Sequence, residues 1–88
     1  MSARTFSAAE AAAYELRAHR RATIVGERTG GGGNPSAGMD LESAFVVIMP
    51  IGRMHRVTAG PGWEGTGVLP AHQAPAPDAE RIAAALAR

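Results

Sequence analysis

The pattern of apolar and polar positions predicts two helices, one near each end of the chain. Residues 7–19 are rich in alanine, the strongest helix former, and Ser7 is followed three positions later by Glu10 in a capping-box pattern. The face of this helix that we expect to pack on a sheet carries small apolar residues, namely Ala9, Ala12, Ala13 and Leu16. Glu10 and Tyr14 lie on another side. Residues 78–88 predict a second helix, with acidic side chains in its first turn and an apolar face.

Between the helices, short apolar runs alternate with segments that are rich in glycine or proline. Residues 22–27 predict a short buried strand. Residues 44–51 are apolar at both odd and even positions, and this pattern predicts a strand covered on both faces. A turn at residues 52–53 leads into a further predicted strand over residues 54–58. Residues 60–77, first broken by glycine and then rich in proline, favour irregular and extended backbone.

The composition limits what the chain can do. Its 88 residues allow one small domain, and a formal net charge of +1 provides no general field for nucleic acid or an anionic membrane. There is no cysteine, and all nine basic residues are arginine, which excludes a thiol nucleophile and a catalytic lysine within the chain. No apolar run is long enough to span a membrane. Alanine and glycine make up about a third of the sequence, so we expect a small core that needs an oligomer or more chain to be stable.

Two positions are candidates for chemistry. Ser7 is either a helix cap or a nucleophile at a helix N-terminus, where the amide of Ala8 would stabilise an oxyanion. Glu64, which follows Trp63 in a glycine-rich stretch, is either a solvated loop residue or an acid that orients a partner base. Local sequence leaves both pairs of interpretations open.

Other polar features favour structural interpretations. The glycine run 30–33 is neither followed by lysine nor placed at the start of a helix, so we interpret it as a flexible connector or the rim of a cleft rather than a phosphate cradle. The histidines, at positions 19, 55 and 72, are far apart in the sequence, which disfavours a metal site.

Two blocks of sequence resemble a known family. They are Thr-x-Ser-Ala-Ala-Glu at residues 5–10 and Trp-Glu-Gly-x-Gly-Val-x-Pro at residues 63–70, with the segment at 22–31 between them. Together they resemble the C-terminal half of the tail-specific, or carboxy-terminal processing, serine proteases. The most similar branch contains interphotoreceptor retinoid-binding protein and the tricorn core protease. At Ala71 this chain departs from the family's usual acidic residue.

The resemblance implies an α/β fold and a set of roles for residues. The fold would be a partial crotonase- or ClpP-like spiral, in which a sheet carries a helix after the nucleophile and a short C-terminal helix. Ser7 would be the nucleophile, Ala8 would supply half of the oxyanion hole, and Glu64 would orient the base. The lysine base of the processing branch has no counterpart here. In the tricorn-like branch the base is a histidine from upstream residues, which also supply the other oxyanion amide.

Two functions therefore remain open. The first is a single-domain segment, residues 1–88, of a serine peptidase that acts on a peptide or protein, without cofactor or metal. Such a segment would be incomplete and inactive alone, and would need a second copy or an N-terminal half. The alternative is a non-catalytic domain of the same fold that binds a small hydrophobic ligand or another protein. Neither nucleic-acid binding nor a membrane span is expected, and localisation stays open.

Overall fold

The computed structural model describes residues 1–56 and 60–88. Its elements are, in chain order, α1 (Ala8–Ala18), β1 (Val25–Gly26), β2 (Ser36–Leu41), β3 (Phe45–Pro50), β4 (His55–Arg56), β5 (Gly60–Pro61), β6 (His72–Gln73) and α2 (Ala76–Leu86). The mixture of helices and strands agrees with the predicted α/β class. Within the described residues the strands form three two-stranded ladders: β1 with β6 in parallel, and β2 with β3 and β4 with β5 antiparallel. The continuous spiral sheet stays a prediction.

Helix α1 has the predicted limits but buries a different face. Ser7 is its N-cap and His19 its C-cap. The buried residues of the helix are Glu10, Ala13 and Tyr14. The prediction of a packed small-residue stripe is therefore wrong, since Ala9 and Ala12 are exposed. The buried face is set instead by Tyr14, whose ring packs on Trp63, and by the hydrogen bonds of Glu10.

The core consists of two clusters that meet at β1. The first cluster contains Ala13, Tyr14, Ile24, Trp63 and Val68, and the second contains Val25, Ala74 and Ala79 with Ile82 beside them. Consecutive residues of extended chain point to opposite sides. Ile24 and Val25 therefore place α1 on one side of β1 and α2 on the other. The buried strand predicted at residues 22–27 is found, although its ladder is only two residues long.

A protruding hairpin contradicts the prediction that residues 44–51 are covered on both faces. β3 pairs antiparallel with β2 along its whole length, and Phe45 and Ile48 are 70% and 69% exposed. The turn at residues 52–53 is expected to pair the strands on either side of it, but β3 pairs with β2, and the described residues His55 and Arg56 pair with β5. Val57 and Thr58, the end of that predicted strand, lie outside the described residues.

Helix α2 begins at Ala76, two residues before the predicted start. Pro75 is its N-cap and Pro77 lies in the first turn, where the missing N–H of proline costs no helical hydrogen bond. Ala79 and Ile82 pack this helix on the second cluster. Each described helix has 11 residues, and neither is long and apolar enough to cross a membrane.

Candidate active site

Ser7 lies at the entrance to α1 in a strained backbone conformation. Its φ of 53° and ψ of −118° are unusual for a residue with a Cβ. Such a conformation costs about 1–3 kcal/mol and persists only where the surroundings enforce it. The side chain is exposed. The chain therefore turns sharply into the helix and presents a hydroxyl at the helix N-terminus.

The backbone amides around Ser7 differ in whether they have a hydrogen-bond acceptor. The Ser7 amide donates to the Glu10 carboxylate at 2.8 Å, which is one half of the predicted capping box. In the other half, the Ser7 side chain faces the Glu10 backbone amide but makes no regular capping hydrogen bond. The Ala9 amide donates to the Phe6 carbonyl at 3.2 Å. Ala8 is the first helical residue, so its amide has no acceptor within the helix and remains available beside the Ser7 hydroxyl.

The carboxylate of Glu10 enforces this geometry. Glu10 is fully buried, and each of its oxygens accepts two hydrogen bonds. Oε1 accepts from the Thr29 hydroxyl and from the Gly31 amide at 2.7 Å. Oε2 accepts from the amides of Gly32 and Ser7, both at 2.8 Å. One side chain therefore joins the backbone of Ser7 to the glycine run 30–33.

These hydrogen bonds also determine the charge state of Glu10. Burial opposes ionisation, but the Thr29 hydroxyl and the amides of the glycine run and Ser7 outweigh it and lower the pKa of Glu10 below its ordinary value. The Thr29 oxygen in turn accepts from the Val68 amide at 2.6 Å. The buried anion is thus the centre of a network that reaches the glycine-rich segment near residue 68.

The glycine run is packed between α1 and the segment around residue 64. Gly31 has a φ of +92°, which disfavours a side chain, and its carbonyl accepts from the Gly65 amide at 2.8 Å. A Cβ on Gly33 would lie 2.7 Å from the Glu64 nitrogen. The interpretation as a flexible connector is therefore wrong, while the cleft-rim interpretation is supported because Gly32 and Gly33 line a cleft beside Ser7.

Glu64 fixes the end of this run. Its Oε2 atom accepts from the amides of Gly33 and Asn34, both at 2.6 Å. The side chain is exposed and does not line the cleft that contains Ser7. No described hydrogen bond reaches its other oxygen. The structure therefore gives Glu64 a positioning contact with the cleft rim and leaves one carboxylate oxygen available.

A cleft of about 150 Å³ contains the two remaining predicted site residues, Ser7 and Ala8. Ala11, Met54 and Trp63 form much of its wall. The Trp63 ring also packs on Tyr14, with centroids 4.9 Å apart, which ties this wall to the core. No charged side chain of the described residues lines the cleft.

The histidines lie away from Ser7. His19 is at the far end of α1, roughly 18 Å from Ser7 along the helix axis, and pairs with Glu15 at 3.3 Å. His55 lines a smaller neighbouring cavity that does not include Ser7, and His72 is on β6. In residues 1–56 and 60–88, no histidine hydrogen-bonds to Ser7, and no three His, Cys, Asp or Glu side chains are grouped to hold a metal ion.

Sequence reasoning missed the wider role of Glu10 and the role of Thr29. The capping box identified Glu10 only as a local partner of Ser7. Its other partners are 19 to 22 residues away. The available signal was an acidic residue on a helix face together with a run of four glycines, whose amides can approach a carboxylate closely.

Comparison with known protein families identifies the chain as a serine peptidase-family domain. The model of peptidase family S41 matches residues 1–74, which include Ser7, the glycine run and Glu64. The chain therefore belongs to peptidase family S41. Membership in a peptidase family indicates a peptide or protein as the substrate class.

Proposed function

We propose that this chain provides the nucleophile-bearing part of a serine peptidase active site, with Ser7 as the nucleophile. The observation that carries the proposal is the strained backbone of Ser7 at a helix N-terminus, held by a buried carboxylate. Sharp turns into helices expose nucleophilic serines in other hydrolases. A cap alone needs no strain, because N-caps normally have extended backbone.

The proposed reaction is acyl transfer. The Ser7 oxygen attacks the carbonyl carbon of a peptide bond while its proton passes to a base. The Ala8 amide, which has no helical acceptor, donates to the oxyanion of the tetrahedral intermediate. Collapse of the intermediate breaks the C–N bond, and the amine leaves with the proton from the base. Water then hydrolyses the acyl ester and frees Ser7.

The base is proposed to come from another chain or chain segment. A serine hydroxyl is a weak nucleophile without a neighbouring base, and no described histidine contacts Ser7. The available oxygen of Glu64 supports its role as the acid that orients that base. The absence of lysine together with Glu64 in the Trp-Glu-Gly block supports the tricorn-like branch of the family. The crotonase-like spiral is proposed on the same resemblance.

A second candidate function is protein interaction through the hairpin β2–β3. One edge of β3 is unpaired among the described residues, and its residues, Phe45–Pro50, carry no charge. Antiparallel pairing with β3 of a second copy would therefore bring no like charges together. A bulky hydrophobic ligand in the cleft is less well supported, because about 150 Å³ is below the range of about 300–1,000 Å³ usual for such ligands.

The nucleophile proposal is tested by placing a thiol at the same position. The chain has no cysteine, so Ser7→Cys introduces a single thiol whose pKa follows from the pH dependence of its alkylation. If the Ala8 amide and the helix N-terminus stabilise an anion there, this pKa should lie about one unit or more below the ordinary 8.5. The matched control is Ser43→Cys in the exposed hairpin turn. Equal pKa values for the two thiols would refute the proposed oxyanion environment.

A further inference from the structure

Thr29 is a buried polar residue without a role in the proposed reaction. It is 5% exposed, and its hydroxyl donates to the Oε1 atom of Glu10. The oxygen of the same hydroxyl accepts from the Val68 amide at 2.6 Å, at the end of the glycine-rich turn formed by residues 63–68. Among the described residues, Thr29 is the only one whose side chain hydrogen-bonds both to Glu10 and to this turn.

The direction of these two hydrogen bonds follows from what each partner can do. A backbone N–H can only donate, so the Val68 amide uses a lone pair of the Thr29 oxygen. An ionised carboxylate can only accept, so the Thr29 proton points to Glu10. A hydroxyl is therefore needed at this position, because the side chain must accept on one side and donate on the other.

The backbone of Thr29 is fixed by the same turn. Its amide donates to the Val68 carbonyl at 3.2 Å, and Val68 itself is fully buried. Gly67 has a φ of +73°, and a Cβ there would lie 2.3 Å from the Thr29 carbonyl oxygen. The close packing of the two segments therefore holds the Thr29 hydroxyl at a set distance from the turn.

Each end of this hydrogen-bonded connection leads to a residue of the proposed active site. Glu10 accepts from the Ser7 amide at 2.8 Å and so holds the strained backbone of Ser7. The turn carries Glu64, whose carboxylate accepts from the amides of the cleft rim. Gly31 makes a second bridge with its backbone, since its amide donates to Glu10 and its carbonyl accepts from the Gly65 amide. The Thr29 hydroxyl is the part of the connection that a side-chain substitution can remove.

We propose that Thr29 is a positioning residue, which sets the Ser7 hydroxyl relative to the turn that carries Glu64. Thr29 acts through the Glu10 carboxylate. Without the hydroxyl, the Val68 amide has no acceptor and Glu10 loses a donor, so the carboxylate is held less firmly and Ser7 relaxes from its strained conformation. The inference rests on the proposed function, because a nucleophile and its orienting acid need a fixed relation that a helix cap does not.

The first test measures the thiol pKa of Ser7→Cys in the intact 88-residue chain, from the pH dependence of its alkylation by iodoacetamide. Thr29→Val replaces the hydroxyl by a methyl group, whereas Thr29→Ser keeps it. Thr29→Val should raise the thiol pKa by about half a unit or more, because the thiol moves from the helix N-terminus and the Glu10 charge is less compensated. Thr29→Ser should leave the thiol pKa unchanged. A merely structural role for Thr29 would lower stability without moving this pKa, and that result would overturn the proposal.

Amide hydrogen exchange, measured by NMR with Ser7 intact, follows the connection itself. Thr29→Val should speed exchange of the Val68 amide, its direct partner, and of the Ser7 amide by about threefold or more through Glu10. The Leu16 amide, within α1, reports global unfolding and should change less than either. Faster exchange at Val68 without a change at Ser7 would show that the two ends are not coupled and would overturn the proposal.

Two further variants make these readouts specific. Thr66 lies in the same turn with an exposed side chain, so Thr66→Val makes the same chemical change without touching Glu10 and should move neither readout. Equal effects of Thr66→Val and Thr29→Val would refute a particular role for Thr29. Thr29→Ala removes the hydroxyl without placing a methyl group against the carboxylate. It should shift both readouts in the same direction as Thr29→Val and replaces that variant if valine prevents folding.

The two readouts separate this inference from the nucleophile proposal. If the thiol of Ser7→Cys has an ordinary pKa while exchange of the Ser7 amide responds to Thr29→Val, the nucleophile proposal falls and the control of Ser7 by Thr29 remains. If the thiol pKa is lowered in the parent but Thr29→Val moves neither readout, only the positioning role of Thr29 falls.

Discussion

Replacing Glu10 by glutamine tests whether a buried anion holds the candidate site together. Glu10 is fully buried, and the substitution keeps its shape while removing its charge. It also replaces one acceptor oxygen by an NH₂ group, which can only donate. Since all four described partners of the carboxylate donate hydrogen bonds to it, the substitution must leave at least one of them unsatisfied.

The orientation of the new amide follows from the partners of each oxygen. An NH₂ group at the Oε2 position would face the amides of Ser7 and Gly32, which are both donors. At the Oε1 position it can donate to the Thr29 oxygen, but the Gly31 amide and the Thr29 O–H both lose their acceptor. We therefore expect the second orientation.

The size of the effect follows mainly from the orphaned Gly31 amide, since the Thr29 hydroxyl can rotate and its oxygen gains a donor in the new NH₂ group. A buried N–H without an acceptor costs about 1–3 kcal/mol. The weaker hydrogen bonds of a neutral acceptor add to this cost, while the loss of a buried charge offsets part of it. We expect a net loss of about 2 kcal/mol in the free energy of unfolding, a large share of the roughly 5–15 kcal/mol typical of a domain.

Urea denaturation at several pH values measures this loss. The pKa of Glu10 is lowered below the ordinary carboxyl value of 4.5 by hydrogen bonds that outweigh its burial. As the pH falls, the unfolded chain therefore takes up the proton first. The stabilisation by ionised Glu10 is complete above about pH 4.5 and disappears as the pH falls through the lower folded-state pKa. The difference between the parent and Glu10→Gln should shrink over the same interval.

Two comparisons make the result interpretable. Glu80 is exposed on α2, so Glu80→Gln should change stability by less than about 0.5 kcal/mol at any pH. Glu27, whose pKa is lowered by the amides of Ala3 and Ala76, titrates in the parent and in the variant and cancels in their difference. If Glu10→Gln were no less stable than Glu80→Gln at pH 7, the stabilising role described for the Glu10 carboxylate would be wrong.

Three further predictions concern the nucleophile position and the hairpin. Ser7→Gly should raise the free energy of unfolding above that of the parent by about 1 kcal/mol, because relief of about 1–3 kcal/mol of strain exceeds the entropic and capping costs of glycine. Thermal denaturation checks this, and a midpoint at or below that of the parent would contradict it. The isolated chain should not react with a fluorophosphonate probe, since no described base contacts Ser7, and rapid stoichiometric labelling seen by mass spectrometry would refute the proposed external base. Sedimentation should show self-association of the parent at micromolar concentration and its loss in Ile48→Lys, with Glu42→Lys as control; a monomeric parent would exclude pairing through β3.

The predictable part of the fold is the part encoded by local signals. The limits of α1 follow from its alanine run and capping box, and the buried strand at residues 22–27 follows from its apolar residues. The hairpin could not be found in this way. Its turn residues, Ser43 and Ala44, have φ values of 68° and 69° without the glycine or asparagine that usually indicates such a turn. β2 also contains Gly38 and Asp40, which are weak strand formers.

The candidate site also has a part that local sequence predicts and a part that it does not. Ser7, Ala8 and Glu64 are recognisable because their residue types and neighbours resemble a known pattern. The partners that position them are mainly backbone amides, which every sequence contains and which no motif records. Glu64 is an example, since the hydrogen bonds that hold it at the rim come from the backbone amides of Gly33 and Asn34.

The burial of Glu10 shows why the apolar pattern selected the wrong face of α1. An acidic residue is expected to face solvent unless its charge is satisfied, and here the satisfaction comes from Gly31 and Gly32, which lie 21 and 22 residues further along the chain. The glycine run can approach the helix closely because it has no side chains. A carboxylate can in turn use several amides that would otherwise be unsatisfied in a buried loop. Glu10 and the glycine run therefore stabilise each other. The Glu10 carboxylate also accepts a hydrogen bond from the Ser7 amide, which holds the strained Ser7 in place.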